Sequence, residues 1–204
     1  MNLYKKNIIL LVFLRDRNEN INRSSSLYFL ILLLVLNLHR VVVANGDLVN
    51  DLCKNASTTT DSMLSYDFCV SALESNPKSK TSDLLGLGVI SMELIAKNAT
   101  NLLPYIGKLL EEGKKERFVK QGLNICLEVY ADATRFVEDA ITDFEDKVYY
   151  NARAEITGAN DYSGACEDSF NERNLTFPLR KQVDNFRKLV DISLAIIDLV
   201  ESDS

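Results

Sequence analysis

Four cysteines behind an apolar leader constrain this chain more than any other feature. Cys53, Cys69, Cys126 and Cys166 all follow an apolar segment at residues 27–38. An even cysteine count downstream of a secretion signal predicts disulfides rather than metal-binding or nucleophilic thiolates. None of the four forms a Cys-x-x-Cys pair, and the one histidine, His39, lies in the leader. Without an imidazole in the remainder, most acid–base, nucleophilic and zinc chemistry lacks its usual donor. The reading is a cross-linked binding protein with no catalytic residues, no metal and no cofactor. Four cysteines allow three pairings. Sequential pairing is preferred because each bridge then joins neighbouring elements, but the sequence leaves all three open.

The leader sets the compartment. Its apolar core of about ten residues makes roughly 15 Å of helix, half of a bilayer's hydrocarbon thickness, which suits a signal peptide better than a membrane span. Val42 and Ala44 place small residues at −3 and −1, so residues 1–44 read as leader and cleavage is expected after Ala44. Lys5 and Lys6 ahead of residues 8–14 form a second, weaker leader-like block, consistent with an upstream extension. Residues 1–44 hold six of the chain's 23 basic and two of its 29 acidic residues, leaving a net charge of −10 for the rest. Such a surface repels nucleic acid and anionic membranes, so neither is expected as a partner once the leader is gone.

Apolar periodicity predicts an all-α fold. Gly88, Met92, Ile95, Ala99, Leu102, Ile106 and Leu109 recur three and four apart, as do Val119, Leu123, Cys126, Tyr130, Ala133, Val137, Ala140 and Phe144. Met92 and Tyr130 are therefore core positions. A third helix is expected from about Pro178 to Val200, with Thr176 or Phe177 as N-cap and Pro178 at its first position. Residues 149–156 read as a short helix broken before Gly158 and resumed at residues 165–170. Ser82 is the expected cap of the first long helix, Pro104 should kink or split it, and Gly113 should turn it into the second. The economical packing is an up-and-down four-helix bundle at 77–204, preceded by a helical hairpin at 45–76.

Several blocks in order resemble the plant invertase/pectin methylesterase inhibitor family. They are Cys53, Tyr66-Asp67-Phe68-Cys69, Asp83-Leu84-Leu85-Gly86-Leu87-Gly88-Val89-Ile90, Cys126 with Tyr130-Ala131-Asp132-Ala133, and Cys166-Glu167-Asp168. The Leu-Gly-Leu-Gly-Val-Ile-Ser run is most similar to the invertase-inhibitor branch that includes pollen allergens. The resemblance spans about residues 47–200. It implies a hairpin plus four-helix bundle, bridges Cys53–Cys69 and Cys126–Cys166, and one-to-one docking on the active-site cleft of a target enzyme. That target would be acid invertase, or alternatively pectin methylesterase. The implied location is secreted, in the apoplast or cell wall, with the vacuole as a second destination. A third reading from another class is a helical protein that stores a small ligand.

In the family, a Pro-Lys-Phe segment upstream of the fourth cysteine contacts invertase. Here the corresponding stretch is Asp146-Lys147-Val148-Tyr149-Tyr150, which lacks the proline and separates lysine from aromatic. The resemblance makes Lys147, Tyr149 and Tyr150 the candidate partner-binding residues, with an ammonium and rings suited to an acidic sugar pocket. The plainer alternative has Tyr149 packed inward and Lys147 as solvated surface. Glu128, Asp132, Arg135 and Glu138 offer a polar face for pectin methylesterase. Adjacent Glu167 and Asp168 point about 100° apart on a helix and cannot pair as glycosidase carboxylates. Sequons at Asn55, Asn98 and Asn174 are candidate glycosylation sites in a secreted chain.

Overall fold

The computed structural model describes residues 28, 30–33, 48–58, 64–112 and 116–202. The expected cleavage point at Ala44 and the turn at Gly113 lie outside them. The chain divides into two compact units, Met1–Val43 and Ala44–Ser204. In the first, residues 28 and 30–33 are helical, with Tyr28, Leu30, Ile31 and Leu32 exposed. Among the described residues no helix is long and apolar enough to cross a membrane.

The second unit is helical wherever regular structure is described. Helix α1 includes residues 48–56 and α2 spans Tyr66–Glu74, followed by a 3-10 turn at Pro77–Thr81. Then come α3 (Leu84–Glu111), α4 (Arg117–Glu145), α5 (Tyr149–Asn171) and α6 (Arg180–Ser202). Each long helix packs on its neighbour in sequence, and α6 returns to α3, which closes an up-and-down bundle. Disulfides join Cys53 to Cys69, between α1 and α2, and Cys126 to Cys166, between α4 and α5.

Apolar stripes decide which faces meet. Helix α4 buries Leu123, Cys126, Tyr130, Ala133, Val137, Ala140 and Phe144 along one seam. Met92 and Tyr130 have no exposed surface, and the Tyr130 ring meets Phe186 of α6 edge-on at 5.4 Å. Opposite α4, α5 offers Ala152, Ala159, Ser163 and Cys166, small groups that let the two axes approach closely. This is also why α5 is one continuous helix and not the two pieces expected. Its buried positions Ala152, Ile156, Ala159, Ser163, Cys166 and Phe170 keep the three-and-four spacing, though mostly with small side chains, and Gly158 has nothing within 4 Å of where a Cβ would lie, so it merely lowers propensity by about 1 kcal/mol.

Three local expectations are corrected. Asp83, not Ser82, caps α3: its Oδ1 accepts from Gly86 N at 2.9 Å, while the Ser82 hydroxyl donates back to the Lys78 carbonyl. Pro104 neither splits nor ends α3, which runs through it from Leu84 to Glu111. Pro178 precedes α6 instead of opening it, because the Leu179 carbonyl accepts the first bonds, from Gln182 and Val183.

Two glycines act by absence of a side chain. A Cβ on Gly88 would lie 2.4 Å from Phe144 Cζ, and one on Gly122 would lie 2.7 Å from Phe170 Cε2. Gly88→Ala should therefore destabilise the protein by about 1–3 kcal/mol through overpacking, despite alanine's better helix propensity. Gly107, on the same helix, has no atom within 4 Å of its would-be Cβ. Gly107→Ala should raise stability by up to about 1 kcal/mol. Urea unfolding of the two variants beside wild type checks the opposite signs.

Candidate functional site

The turn between α4 and α5 presents the lysine–aromatic segment. Helix α4 ends in a Schellman motif: Val148 N donates to the Asp143 carbonyl at 2.7 Å and Lys147 N to the Phe144 carbonyl at 3.1 Å. The motif requires a left-handed residue, and Lys147 fills that place with φ 63°. Glycine is the usual occupant, since a Cβ there costs about 1–2 kcal/mol. A lysine is thus held at a position that the backbone would assign to glycine.

The side chains of this corner separate into two groups. Tyr149 is half-buried, its ring edge-on to Phe144 at 5.3 Å, so the inward-packed alternative describes it. Lys147 is exposed, Val148 retains 42% of its surface and Tyr150 retains 78%. Beside Lys147 a surface cavity of about 340 Å³ is lined by Leu85, Gly86, Val89, Phe144 and Glu145. The first turn of α3 therefore shares the corner, which periodicity alone gave no reason to expect. Glu145 and Asp146 flank the lysine. Further along α4 and α5, burial together with Asp139 and Asp143 raises the Glu155 carboxyl above its ordinary range. The corner is a cation and an exposed ring set in acidic surroundings.

The polar face of α4 is partly assembled as expected. Asp132, Arg135 and Glu138 join Phe136 and Asp139 around a second surface cavity of about 420 Å³, and Arg135 pairs with Asp132. Glu128 is exposed and does not line it. The Phe136 ring meets Tyr162 of α5 at 5.0 Å with the two ring planes tilted by 59°.

Sequence reasoning missed a charged cluster at the other end. Glu167 is buried beside Cys166, and its two oxygens accept from Arg180 and from Arg187, the latter at 2.9 Å. These partners lie 13 and 20 positions along the chain, so only the α5–α6 packing reveals them. Burial alone would raise the Glu167 carboxyl, but the hydrogen bonds from Arg187 and Arg180 outweigh it and hold the group below its ordinary range. A depressed carboxyl contributes stability above its unfolded pKa, about 4.3 for glutamate, and loses it as pH falls through the lower folded value. Its contribution is intact near pH 5. In Glu167→Gln the fall in Tm from pH 5 to pH 3 should be shallower than in wild type, as thermal scans in matched buffers would show. Asp168, by contrast, is exposed.

The sequons differ in setting. Asn55 and Asn174 are exposed, whereas Asn98 is half-buried within α3. Among the described residues no cluster of three or more His, Cys, Asp or Glu is arranged to hold a metal.

Comparison with known proteins gives this geometry a context. The family profile described as plant invertase/pectin methylesterase inhibitor matches residues 47–196. A Platanus acerifolia protein named "Putative invertase inhibitor" is 38% identical over 87% of this chain and 96% of its own. The Arabidopsis thaliana "Cell wall / vacuolar inhibitor of fructosidase 2" is 31% identical, over 87% and 99%. The "Pectinesterase inhibitor" of Actinidia deliciosa is 28% identical, over 87% and 95%. In fold, a crystal structure of a mutant pectin methylesterase inhibitor from Arabidopsis superposes with a TM-score of 0.58 at 20% identity, covering 71% of this chain and 95% of that one. With the hairpin, the four-helix bundle and both bridges in place, the chain belongs to the plant invertase/pectin methylesterase inhibitor family.

Proposed function

We propose that this protein is a secreted, non-catalytic inhibitor of acid invertase that docks one-to-one on the enzyme's active-site cleft. The observation that carries this reading is the 38% identity, along nearly the whole chain, to a relative named as an invertase inhibitor. The α4–α5 corner supports it. An exposed lysine and a largely exposed tyrosine project from a turn whose backbone is fixed by two hydrogen bonds. Such a group can enter a cleft lined by carboxylates with little loss of conformational freedom. The relative named for cell wall and vacuole supports the apoplast or the vacuole as its place of action.

A second reading, pectin methylesterase inhibition, is favoured by the polar cavity on α4 and by the relative named as a pectinesterase inhibitor. Storage of a small ligand has less support, because the positions facing the bundle axis are filled by Leu, Ile, Val, Phe and Tyr. The deciding experiment mixes the secreted protein with purified acid invertase and, separately, with pectin methylesterase, and follows residual activity. Saturable loss of invertase activity at an equimolar ratio is expected. Loss confined to pectin methylesterase would move the assignment to the second reading, and loss of neither would end both.

A further inference from the structure

The three Asn-x-Ser/Thr motifs share one sequence rule but not one environment. Asn174 closes α5 in a second Schellman motif: Leu175 N donates to the Phe170 carbonyl at 3.0 Å and Asn174 N to the Asn171 carbonyl at 3.0 Å. Its φ is 53°, a left-handed conformation that asparagine tolerates better than most residues. Asn174 and Thr176 are both exposed, in the connection between α5 and α6. A bulky substituent on Nδ2 there extends into solvent and displaces no packed atom.

Asn98 is different. It lies mid-way along α3, with its Oδ1 enclosed by protein and lacking a hydrogen-bond partner. Its neighbours Ile95, Ala99 and Leu102 are core residues with at most 3% of their surface exposed. Asn98 is half-buried, so an oligosaccharide on Nδ2 would crowd the side chains packed on either side of it. A chain modified there on emergence would close α3 against the bundle less readily than one modified at Asn174.

We infer that Asn174 carries an N-linked glycan in the mature protein and that Asn98 stays bare in the folded, exported pool. In the reaction, Asn174 Nδ2 attacks C1 of a lipid-linked oligosaccharide. The N–C1 bond forms, the C1–O bond to the polyprenyl diphosphate breaks, and the amide gives up one proton. The inference needs only that the chain enters the secretory pathway.

Placement adds a consequence. Helix α5 separates Lys147 from Asn174 by its whole length, 23 residues or about 34 Å. The glycan therefore sits at the end of the bundle away from the α4–α5 corner and leaves that corner open. This consequence, unlike occupancy itself, rests on the docking reading.

The test expresses the full chain with its own leader in plant leaf tissue and recovers the exported protein. Peptide N-glycosidase treatment in oxygen-18 water marks each occupied asparagine by conversion to labelled aspartate, read by peptide mass spectrometry. Label at Asn174 and none at Asn98 is expected. Thr176→Ala, which leaves Asn174 in its left-handed turn, should remove one glycan's mass, while Thr100→Ala should change nothing. Label at Asn98 in exported protein, or an unlabelled Asn174, overturns the inference. If Thr176→Ala loses the glycan but also changes inhibition of an enzyme that wild type inhibits, occupancy stands and the placement of docking at the opposite end fails.

Discussion

Replacing Cys126 and Cys166 together by alanine is expected to lower folding stability by about 4 kcal/mol. The bridge closes a segment of 40 residues, and chain-entropy arguments assign a loop of that length roughly 4 kcal/mol of restraint on the unfolded chain. Both residues are fully buried in the α4–α5 seam, so alanine avoids the added cost of placing a hydroxyl there. For a domain of this size the loss corresponds to a Tm lower by about 8–16 °C. The Cys53–Cys69 bridge spans 16 residues, and the same argument gives its alanine pair a smaller loss, about 3 kcal/mol. Thermal and urea unfolding of both pairs tests the order. A larger loss from the hairpin bridge would show that native packing, not loop length, sets the contribution.

Charge reversal at Lys147 should have the largest effect on activity. Removing one partner of a desolvated charge pair at an interface costs about 2–5 kcal/mol, or at least about thirtyfold in affinity. Lys147→Glu should weaken invertase inhibition by that factor, with an unchanged circular dichroism spectrum because the side chain is exposed. Lys147→Gly separates contact from scaffold. Glycine accepts the left-handed φ of 63° without a Cβ clash, so this variant should gain about 1 kcal/mol in stability while inhibition falls. The paired measurements are an inhibition constant and a urea midpoint. Full inhibition by the glycine variant would place the contact elsewhere, with the polar face of α4 as the next surface to alter.

The elements legible in the sequence were those whose buried face is strongly apolar. Helices α3 and α4 announce themselves through Met92, Ile95, Leu102 and Ile106, and through Leu123, Tyr130, Val137 and Phe144. Helix α5 did not, because Ala152, Ala159, Ser163 and Cys166 bury well against a close neighbour yet carry little hydropathy. The ends were harder for a local reason: Ser82 and Asp83 can both cap, and only the actual turn decides between them. At the candidate site, the lysine and rings were visible through the family resemblance. The left-handed backbone at Lys147 and the contribution of Leu85 from α3 were not, since the first depends on how α4 turns into α5 and the second on how the start of α3 packs beside the end of α4. Glu167 shows the same limit, with its arginine partners brought in by another helix.

The contacts of Phe144 on Gly88 and Phe170 on Gly122 bear on more than local volume. Each ring occupies a notch that only a missing Cβ leaves open, one on α3 and the other on α4. Sliding either helix by one turn, about 5.4 Å, would carry the ring out of its notch and against a side chain. The pair thus acts as two dowels that fix axial position, which interdigitated aliphatic seams define less sharply. Because Phe144 lies three residues before Lys147 and its notch lies three residues after Leu85, the first dowel also sets the spacing between those two surface groups. A target enzyme would then meet an epitope preorganised across two helices, whose geometry is settled before encounter and not moulded by it.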